Sequence, residues 1–571
     1  MTSDTWPNRP LLFTLLGGIL AFAIYHLTDS IGQDAAEVTW RASLSAAIAS
    51  FGLVFAIVVR RDRLFSGVVF SLLVAVVVGG IGYWRLHIDW PHIFNFAALA
   101  VALFVLSPFY QTSLHSKWHS YLALHHHSWS NAVILPLGLL FVGLTFGMAY
   151  MIAELFSLVG INVLKKLLRQ DITGWMLGGA SLGASLGVLR EHEGIIASTQ
   201  RLVQSIFSLL AAPVALGLCG FLLVLPFTGL ESLWNNTRNT SATLFACALA
   251  ALVFLNSVVR EDSGNQSQNR FMQWAARLLA VCLAPLALIA ALAIRLRVDQ
   301  YGWTPDRFWA TVICALLVVY GTSYIVAALR KLQFNETIRK ANVALAILVC
   351  AVALFLATPI LDFGATSVKD QLARLKDGRI AEGKLDLSAM AFDFGPAGRE
   401  ALQDLQRNGS KEFAARIDEV LNAKSRWAAN KVTNEIVISD VISVLNGSAE
   451  IPASLLAVLG NNQVCRNDYC FLLWTENKNG AFLVDQNCRG SAGCRPEVQL
   501  YRHNADRWDR EFKYSSPDDL LSLVQRSDNA DSAQALIRRL DAAAQAGTIE
   551  IRPVQRMQVF IDGHAIGPSS N

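Results

Sequence analysis

Five of the eleven histidines fall within thirteen residues: His115, His119, His125, His126 and His127. His115 and His119 are four apart, so a helix would carry both on one face, which is one way to build a metal site. His115, His119 and His127 are therefore the weak metal candidates. A plainer reading makes the stretch an interfacial helix, with Trp118, Tyr121 and Trp129 at headgroup level. On that reading no catalytic residue and no cofactor is expected.

Charge inside apolar sequence is the second signal. Glu154 lies well within the fifth apolar segment, and an ionisable residue in a span is by default a functional hypothesis. A binding or inter-helix pairing role is expected for it. Arg277 and Arg295 sit near the two ends of the ninth segment and join Glu154 as binding candidates, although snorkelling accounts for both. Asn256 and Glu231 lie near membrane boundaries and are less specific.

Cysteine is the third. Cys219, Cys247, Cys282, Cys314 and Cys350 sit one per apolar segment and read as small hydrophobes. Cys465, Cys470, Cys488 and Cys494 cluster in the tail, where four cysteines allow three pairings. A zinc site or free thiols are the alternatives, although zinc ligands are usually spaced more tightly within each pair.

The elements that position these residues are membrane helices. Hydrophobic residues make up 53% of the 571 and charged residues only 16%, far from the soluble average. The net charge of +4 is scattered, which excludes a nucleic-acid footprint. Eleven apolar segments come near the roughly 20 residues a span requires: 11–27, 43–59, 64–84, 94–110, 132–157, 174–189, 203–226, 242–258, 274–297, 308–328 and 342–360. The first has an Ala21-Phe22-Ala23 end that imitates a signal-peptide cleavage site, but its apolar run continues, so it reads as a retained helix. The sixth is short. Its Gly179, Gly183 and Gly187 recur every four residues and line one face for close helix packing. A re-entrant segment is the competing reading.

Loop charge sets an orientation. With eleven spans and a cytoplasmic N-terminus, Arg60, Arg61, Arg63 and the basic 329–341 loop lie inside, and the acidic 29–40 loop lies outside. Lys165, Lys166 and Arg169 object, because they fall outside. The expectation is a bacterial inner-membrane protein, with residues 1–360 as the transmembrane domain and 361–571 as a periplasmic domain. That compartment preserves disulfides, which favours pairing among the four tail cysteines.

The tail reads as α+β. Helices are expected at 398–407, 411–429, 518–525 and 532–546, and strands at 435–445, 469–475, 481–484, 497–502, 508–514, 548–554 and 557–561. Thr475–Gly480 resembles the start of a calcium loop, but Thr475 and Gln486 stand where acidic ligands belong. A hairpin turn at Asn479-Gly480 is the simpler reading.

Several loop motifs carry a family resemblance. They are His127-Ser128-Trp129-Ser130-Asn131, Leu155-Phe156 with Gly160-Ile161, Leu225-Pro226-Phe227-Thr228-Gly229-Leu230 with Leu233-Trp234, and Gln300-Tyr301-Gly302-Trp303-Thr304-Pro305 with Arg307. Together with Phe392-Asp393-Phe394-Gly395 and Gly398-Arg399-Glu400-Ala401-Leu402, the chain resembles the bacterial multi-pass membrane family called domain of unknown function 4153. The tail departs from that family where Thr475–Gly480 lacks an acidic turn. The resemblance implies a shared element at 300–307, with Gln300, Tyr301 and Arg307 as binding candidates. Thr304 and Pro305 also form a helix-start signal, cap then first turn. The histidine stretch has a fainter likeness to the boxes of di-iron desaturases. Those enzymes need further boxes, and only His192 is comparably placed.

No Walker loop, dinucleotide fingerprint or nucleophile elbow occurs, which argues against an ATP-driven pump. Three classes remain. The first is a non-ATP transporter, flippase or envelope-assembly factor acting on a lipid or envelope substrate. The second is a sensor or scaffold whose tail binds a periplasmic protein partner. The third, more remote, is a metal-dependent membrane enzyme. A polar cavity holding Glu154 would favour transport, a solid bundle the scaffold, and three converging histidines the enzyme.

Overall fold

In the computed structural model the described residues are 6–29, 35–88, 93–114, 116–229, 240–264, 266–330, 333–430, 442–446, 450–461, 464, 470–475, 479–487, 495–504, 507–515, 557–561 and 564–570. They include eleven helices long and apolar enough to cross a membrane. These are α1 (Arg9–Thr28), α2 (Ala35–Val58), α3 (Leu64–Ile88), α4 (Ile93–Ser113), α5 (Tyr121–Leu158), α7 (Asp171–Glu191), α8 (Glu193–Thr228), α9 (Thr240–Val259), α10 (Arg270–Tyr301), α11 (Pro305–Leu329) and α12 (Phe334–Ala357). A short α6 (Val163–Leu168) joins α5 to α7.

Every apolar segment of the sequence falls on one of these helices, although 43–59 and 342–360 run one and three residues past the ends of α2 and α12, and the glycine-rich sixth becomes the 21-residue α7. The helices outrun the apolar segments. α5 has 38 residues, about 57 Å at 1.5 Å per residue, against a hydrocarbon core of roughly 30 Å. Residues 121–131 and 193–202, which lie between the apolar segments, are therefore the opening turns of α5 and α8, so that the histidine stretch, read as an interfacial helix, is helical from Tyr121 but continuous with the fifth span. Continuing a helix past the apolar boundary keeps its backbone groups paired, so the boundary in hydropathy is not the boundary of the helix.

The chain divides into two compact units, residues 1–234 with 238–372 and 393–398 in the first, and the remainder in the second. In the first unit α1 packs on α7 and α2, α2 on α3, α4 on α12, and α5 on α7 and α4. Helices α8, α9 and α11 gather around α10, and α12 joins them through α11. Its apolar window is 56% buried, against at most 39% for any other span, so α10 is the axis of that half. Ala276, Leu279, Ala280, Leu283 and Ala287 along it are at most 1% exposed. Gly321 on α11 brings α11 against Ala284, where a Cβ would approach within 2.6 Å of the Ala284 Cα.

The second unit, taken by itself, begins with short helices. They include α14 (Leu387–Phe392) and α16 (Lys411–Leu421), between which runs α15 (Gly395–Asn408); α13 (Phe363–Lys376) and α15 each continue from one unit into the other. The helix expected over 411–429 breaks at Asn422. A new turn starts at Ser425, whose Oγ accepts from Ala428 N (3.2 Å).

A five-stranded sheet follows in the order β1 (Ile442–Asn446), β2 (Cys470–Trp474), β3 (Gly480–Asn487), β4 (Arg495–Asn504), β5 (Arg507–Ser515). β1 is parallel to β2 and the other pairs are antiparallel. A parallel pair needs a crossover, and α17 (Ala453–Asn461), which sequence reading missed, lies within it. β2 is buried at every position. Thr475 N donates to Gly480 O (2.9 Å), closing the β2–β3 connection as a hairpin. β6 (Met557–Ile561) pairs with β7 (His564–Ser570), a strand not expected from sequence. The helices expected at 518–525 and 532–546, the strand at 548–554 and most of that at 435–445 lie outside the described residues.

Candidate functional site

The first unit has two ends. One carries the start of α1, the α2–α3, α4–α5, α7–α8 and α9–α10 turns and the start of α12, and with them Arg60, Arg61, Arg63, Arg190, Arg260 and Arg339. We call it the basic end. The other, from which the tail departs, carries the α5–α7 and α10–α11 turns.

Small residues make the α1–α7 contact. Gly179, Gly183 and Gly187 face α1. A Cβ on Gly183 would overlap the Phe13 carbonyl, one on Gly179 the Gly17 carbonyl, and one on Gly187 would come within 2.6 Å of Pro10 Cα. At the basic end the fully buried Arg9 donates from Nη1 to Arg190 O (3.0 Å) and lies 3.5 Å from Glu191 Oε2. Trp6 N donates to the same carboxylate (2.9 Å).

Beside this contact the helices part. α1, α2, α5 and α7 enclose an apolar groove of about 740 Å³. Its lining on α7 runs from Asp171 to Leu186, about 22 Å along the axis, or most of a bilayer core. Leu16, Leu20, Leu53, Leu139 and Leu182 are among the apolar walls, and Gly174 lines it with open space where a Cβ would stand. The mouth at the tail end is polar, with Arg169, Gln170 and Asp171 beside Tyr150. No motif flagged this space, because a groove appears only when four helices are assembled. Its one sequence signal is the run of glycines in 174–189.

Glu154 is not in the groove wall, so the groove is not the polar, Glu154-holding cavity that the sequence set as the mark of a transporter. Its Oε1 lies 2.7 Å from Lys165 Nζ, with the carboxylate side chain 61% exposed, and Ser157 Oγ donates to its Oε2 (3.2 Å). Arg277 lies over Trp274 and Phe334, with ring centroids 5.8 and 5.6 Å away. Arg295 is exposed and lies 3.8 Å from Asp299. The structure does not bring Glu154, Arg277 and Arg295 together.

The 300–307 element is a buttressed turn. Gly302, at φ +78°, ends α10, and Thr304 caps α11 by accepting from Arg307 N (3.4 Å). Arg307 Nη1 donates to Gly302 O, and its guanidinium lies over the Tyr301 ring. Trp303 N donates to Asp370 Oδ2 (2.7 Å), and Gln371 Nε2 to Tyr301 O (3.0 Å), so α13 clamps the turn. Trp303, Phe308 and Phe363 stack in series at 4.2 and 4.9 Å. Gln300 is exposed.

A polar network inside the α5–α9–α11–α12 contact escaped sequence reasoning. Tyr324, fully buried, donates from its hydroxyl to Asn342 Oδ1 (2.6 Å) and accepts from Asn256 Nδ2 (3.0 Å). Asn342 Nδ2 donates to Asn256 Oδ1 (2.7 Å) and to Tyr121 Oη (3.2 Å). One turn along α5, buried His125 has Nδ1 3.6 Å from Glu261 Oε2. Among the described residues no three His, Cys, Asp or Glu side chains converge as a metal site, and His115 lies outside them. His119 lies in the α4–α5 turn, whereas His127 lies on α5.

In the second unit Cys470 opens β2 and is 1% exposed. Cys465, Cys488 and Cys494 lie outside the described residues. The free cysteines among the described residues are the five in the spans.

Eleven apolar helices, interhelical glycine contacts and a buried polar network define a polytopic helical membrane protein. The chain belongs to the family described as Domain of unknown function (DUF4153), whose profile matches residues 11–405. The match covers every span and ends within α15, before the sheet. No curated protein and no solved structure matches the chain.

Proposed function

We propose that this protein is a bacterial inner-membrane carrier of a lipidic substrate, a transporter or flippase that uses no ATP. One observation carries the reading: the 740 Å³ groove between α1, α2, α5 and α7 is apolar along its length and polar at its mouth. That volume falls in the roughly 300–1,000 Å³ range of small-molecule sites. The amphipathic layout matches a molecule with a hydrocarbon chain and a polar head.

The orientation follows the loop charges, with the basic end in the cytoplasm and the second unit in the periplasm. The Glu154–Lys165 pair supports it, because it offsets one of the three basic charges that oppose this arrangement. In that compartment Cys470, which is not among the free thiols, pairs with one of Cys465, Cys488 and Cys494.

Reconstitution tests the reading. The full chain goes into vesicles containing a trace of head-labelled fluorescent phospholipid, and a membrane-impermeant reductant is added without ATP. Bleaching should extend past the outer leaflet, and Gly174→Leu, which fills the groove, should slow it. Bleaching confined to the outer leaflet, with no lipid retained by the purified protein, would refute the carrier.

A further inference from the structure

The mouth of the groove carries polar groups that its apolar walls do not require. Arg169 and Gln170 form the turn between α6 and α7, Asp171 is the first residue of α7, and Tyr150 comes from α5. All four line the groove, and the buried Leu168 beside them pins the turn in place. We propose that this mouth binds the head of a zwitterionic phospholipid, Arg169 holding the phosphate and Asp171 the ammonium, an assignment that rests on the carrier reading of the groove.

Both charges are available to a ligand. Among the described residues neither the Arg169 nor the Asp171 side chain makes a hydrogen bond or an ion pair, with each other or with a third group. The Gln170 side chain does not cap α7. Lys165 is different, since its Nζ lies 2.7 Å from Glu154 Oε1 and neither residue lines the groove. The wall itself therefore holds one positive and one negative charge, with no surplus of either.

That balance decides the class of head. A purely anionic head would leave the Asp171 carboxylate facing like charge, and an uncharged head would leave both side chains unused. A phosphodiester that also carries an ammonium complements both. The planar guanidinium fork suits phosphate oxygens, and Tyr150 and Gln170 supply further donors.

The ammonium has a second neighbour. Asp171 and Trp175 are four apart on α7, so they share one helix face, and both line the groove. An ammonium at Asp171 then lies next to an indole ring, whose face attracts cations. From this mouth the lining continues about 22 Å along α7 to Leu186. One leaflet contributes roughly 15 Å to the bilayer core, so an acyl chain attached to this head has wall beside it along its whole length.

The test is native mass spectrometry of the full chain released from micelles. The micelles contain equimolar phosphatidylethanolamine, phosphatidylcholine and phosphatidylglycerol with identical chains. Zwitterionic lipid should be retained about threefold to tenfold over phosphatidylglycerol. Retention of phosphatidylethanolamine alone identifies N–H donation to Asp171, whereas retention of both zwitterions identifies charge and the Trp175 ring. Asp171→Asn should erase the preference, and Arg169→Gln should lower retention of all three lipids. Both side chains are exposed, so neither change disturbs the core. Gly174→Leu should displace the bound lipid, which places it in the groove. Equal retention of the three, a preference for phosphatidylglycerol, or a zwitterion preference that survives Asp171→Asn overturns the head assignment and leaves the carrier reading standing. Lipid that survives Gly174→Leu lies outside the groove and overturns the assignment as well. No retained lipid of any kind removes both the assignment and the carrier.

Discussion

The Arg339 guanidinium closes the end of α9 on Arg260, accepting no bond and donating three to carbonyls. Nη2 reaches Val259 O (2.8 Å) and Asp262 O (2.7 Å), and Nε reaches Arg260 O (3.2 Å). Arg260 itself stands at φ +50°, where glycine usually ends a helix. The last carbonyls of a helix lack backbone partners, and here a side chain from α12 supplies them. Arg339→Ala should therefore destabilise the first unit by about 1.5–3 kcal/mol. Arg260→Gly should cost little, because relief of the left-handed conformation offsets loss of the Ser205 contact. Equilibrium unfolding in mixed micelles checks both, and an unaffected Arg339→Ala protein would show that water satisfies these carbonyls.

The Asn256–Tyr324–Asn342 network ties three spans through donors that lipid cannot replace. Measured couplings of this kind in membranes average about 0.6 kcal/mol and reach ~1.7. A double-mutant cycle of Asn256→Ala and Asn342→Ala should give a coupling in the upper half of that range, because each amide touches both the other and Tyr324. Strict additivity would mean the two act independently.

How much of this was legible follows from the range of each signal. Hydropathy located all eleven spans, since burial in lipid acts on every residue of a segment. The Thr304–Pro305 helix start was also legible, because capping is local. Glu154 illustrates the limit. Its position in a span suggested an interior site, but Lys165, eleven residues on, meets it at an exposed end. Asn342 drew no notice in the sequence, since its partners Asn256 and Tyr121 are 86 and 221 residues away. The groove left only the glycine run of 174–189 as a local trace, because it is a space between four helices from separate parts of the chain.

Asp370 fixes the turn between α10 and α11 through one charge-assisted bond to Trp303 N. Asp370→Ala leaves that part-buried N–H without its partner and should cost about 1.5–3 kcal/mol. Asp370→Asn retains an acceptor of the same shape and should cost less. Hydrogen exchange at Trp303 reads the effect directly. Equal protection in all three proteins would show that the Trp303–Phe308 stack holds the turn without the carboxylate.

Two glycines of α7 should respond in opposite ways to the same methyl group. At Gly183 a Cβ would collide with the Phe13 backbone, which cannot rotate away, so α1 must move as a body. Gly183→Ala should then lose about 1–3 kcal/mol, the usual cost of overpacking. At Gly174 a Cβ meets open space in the groove. There alanine has only its better helix propensity to contribute, up to ~1 kcal/mol, so Gly174→Ala should be neutral or stabilising. Micelle unfolding of the pair separates close packing from mere helix preference. If both substitutions stabilise, propensity dominates and the α1–α7 contact is looser than the glycine face requires. If both destabilise, the groove beside Gly174 closes in the membrane, and the space proposed for a lipid chain would not exist.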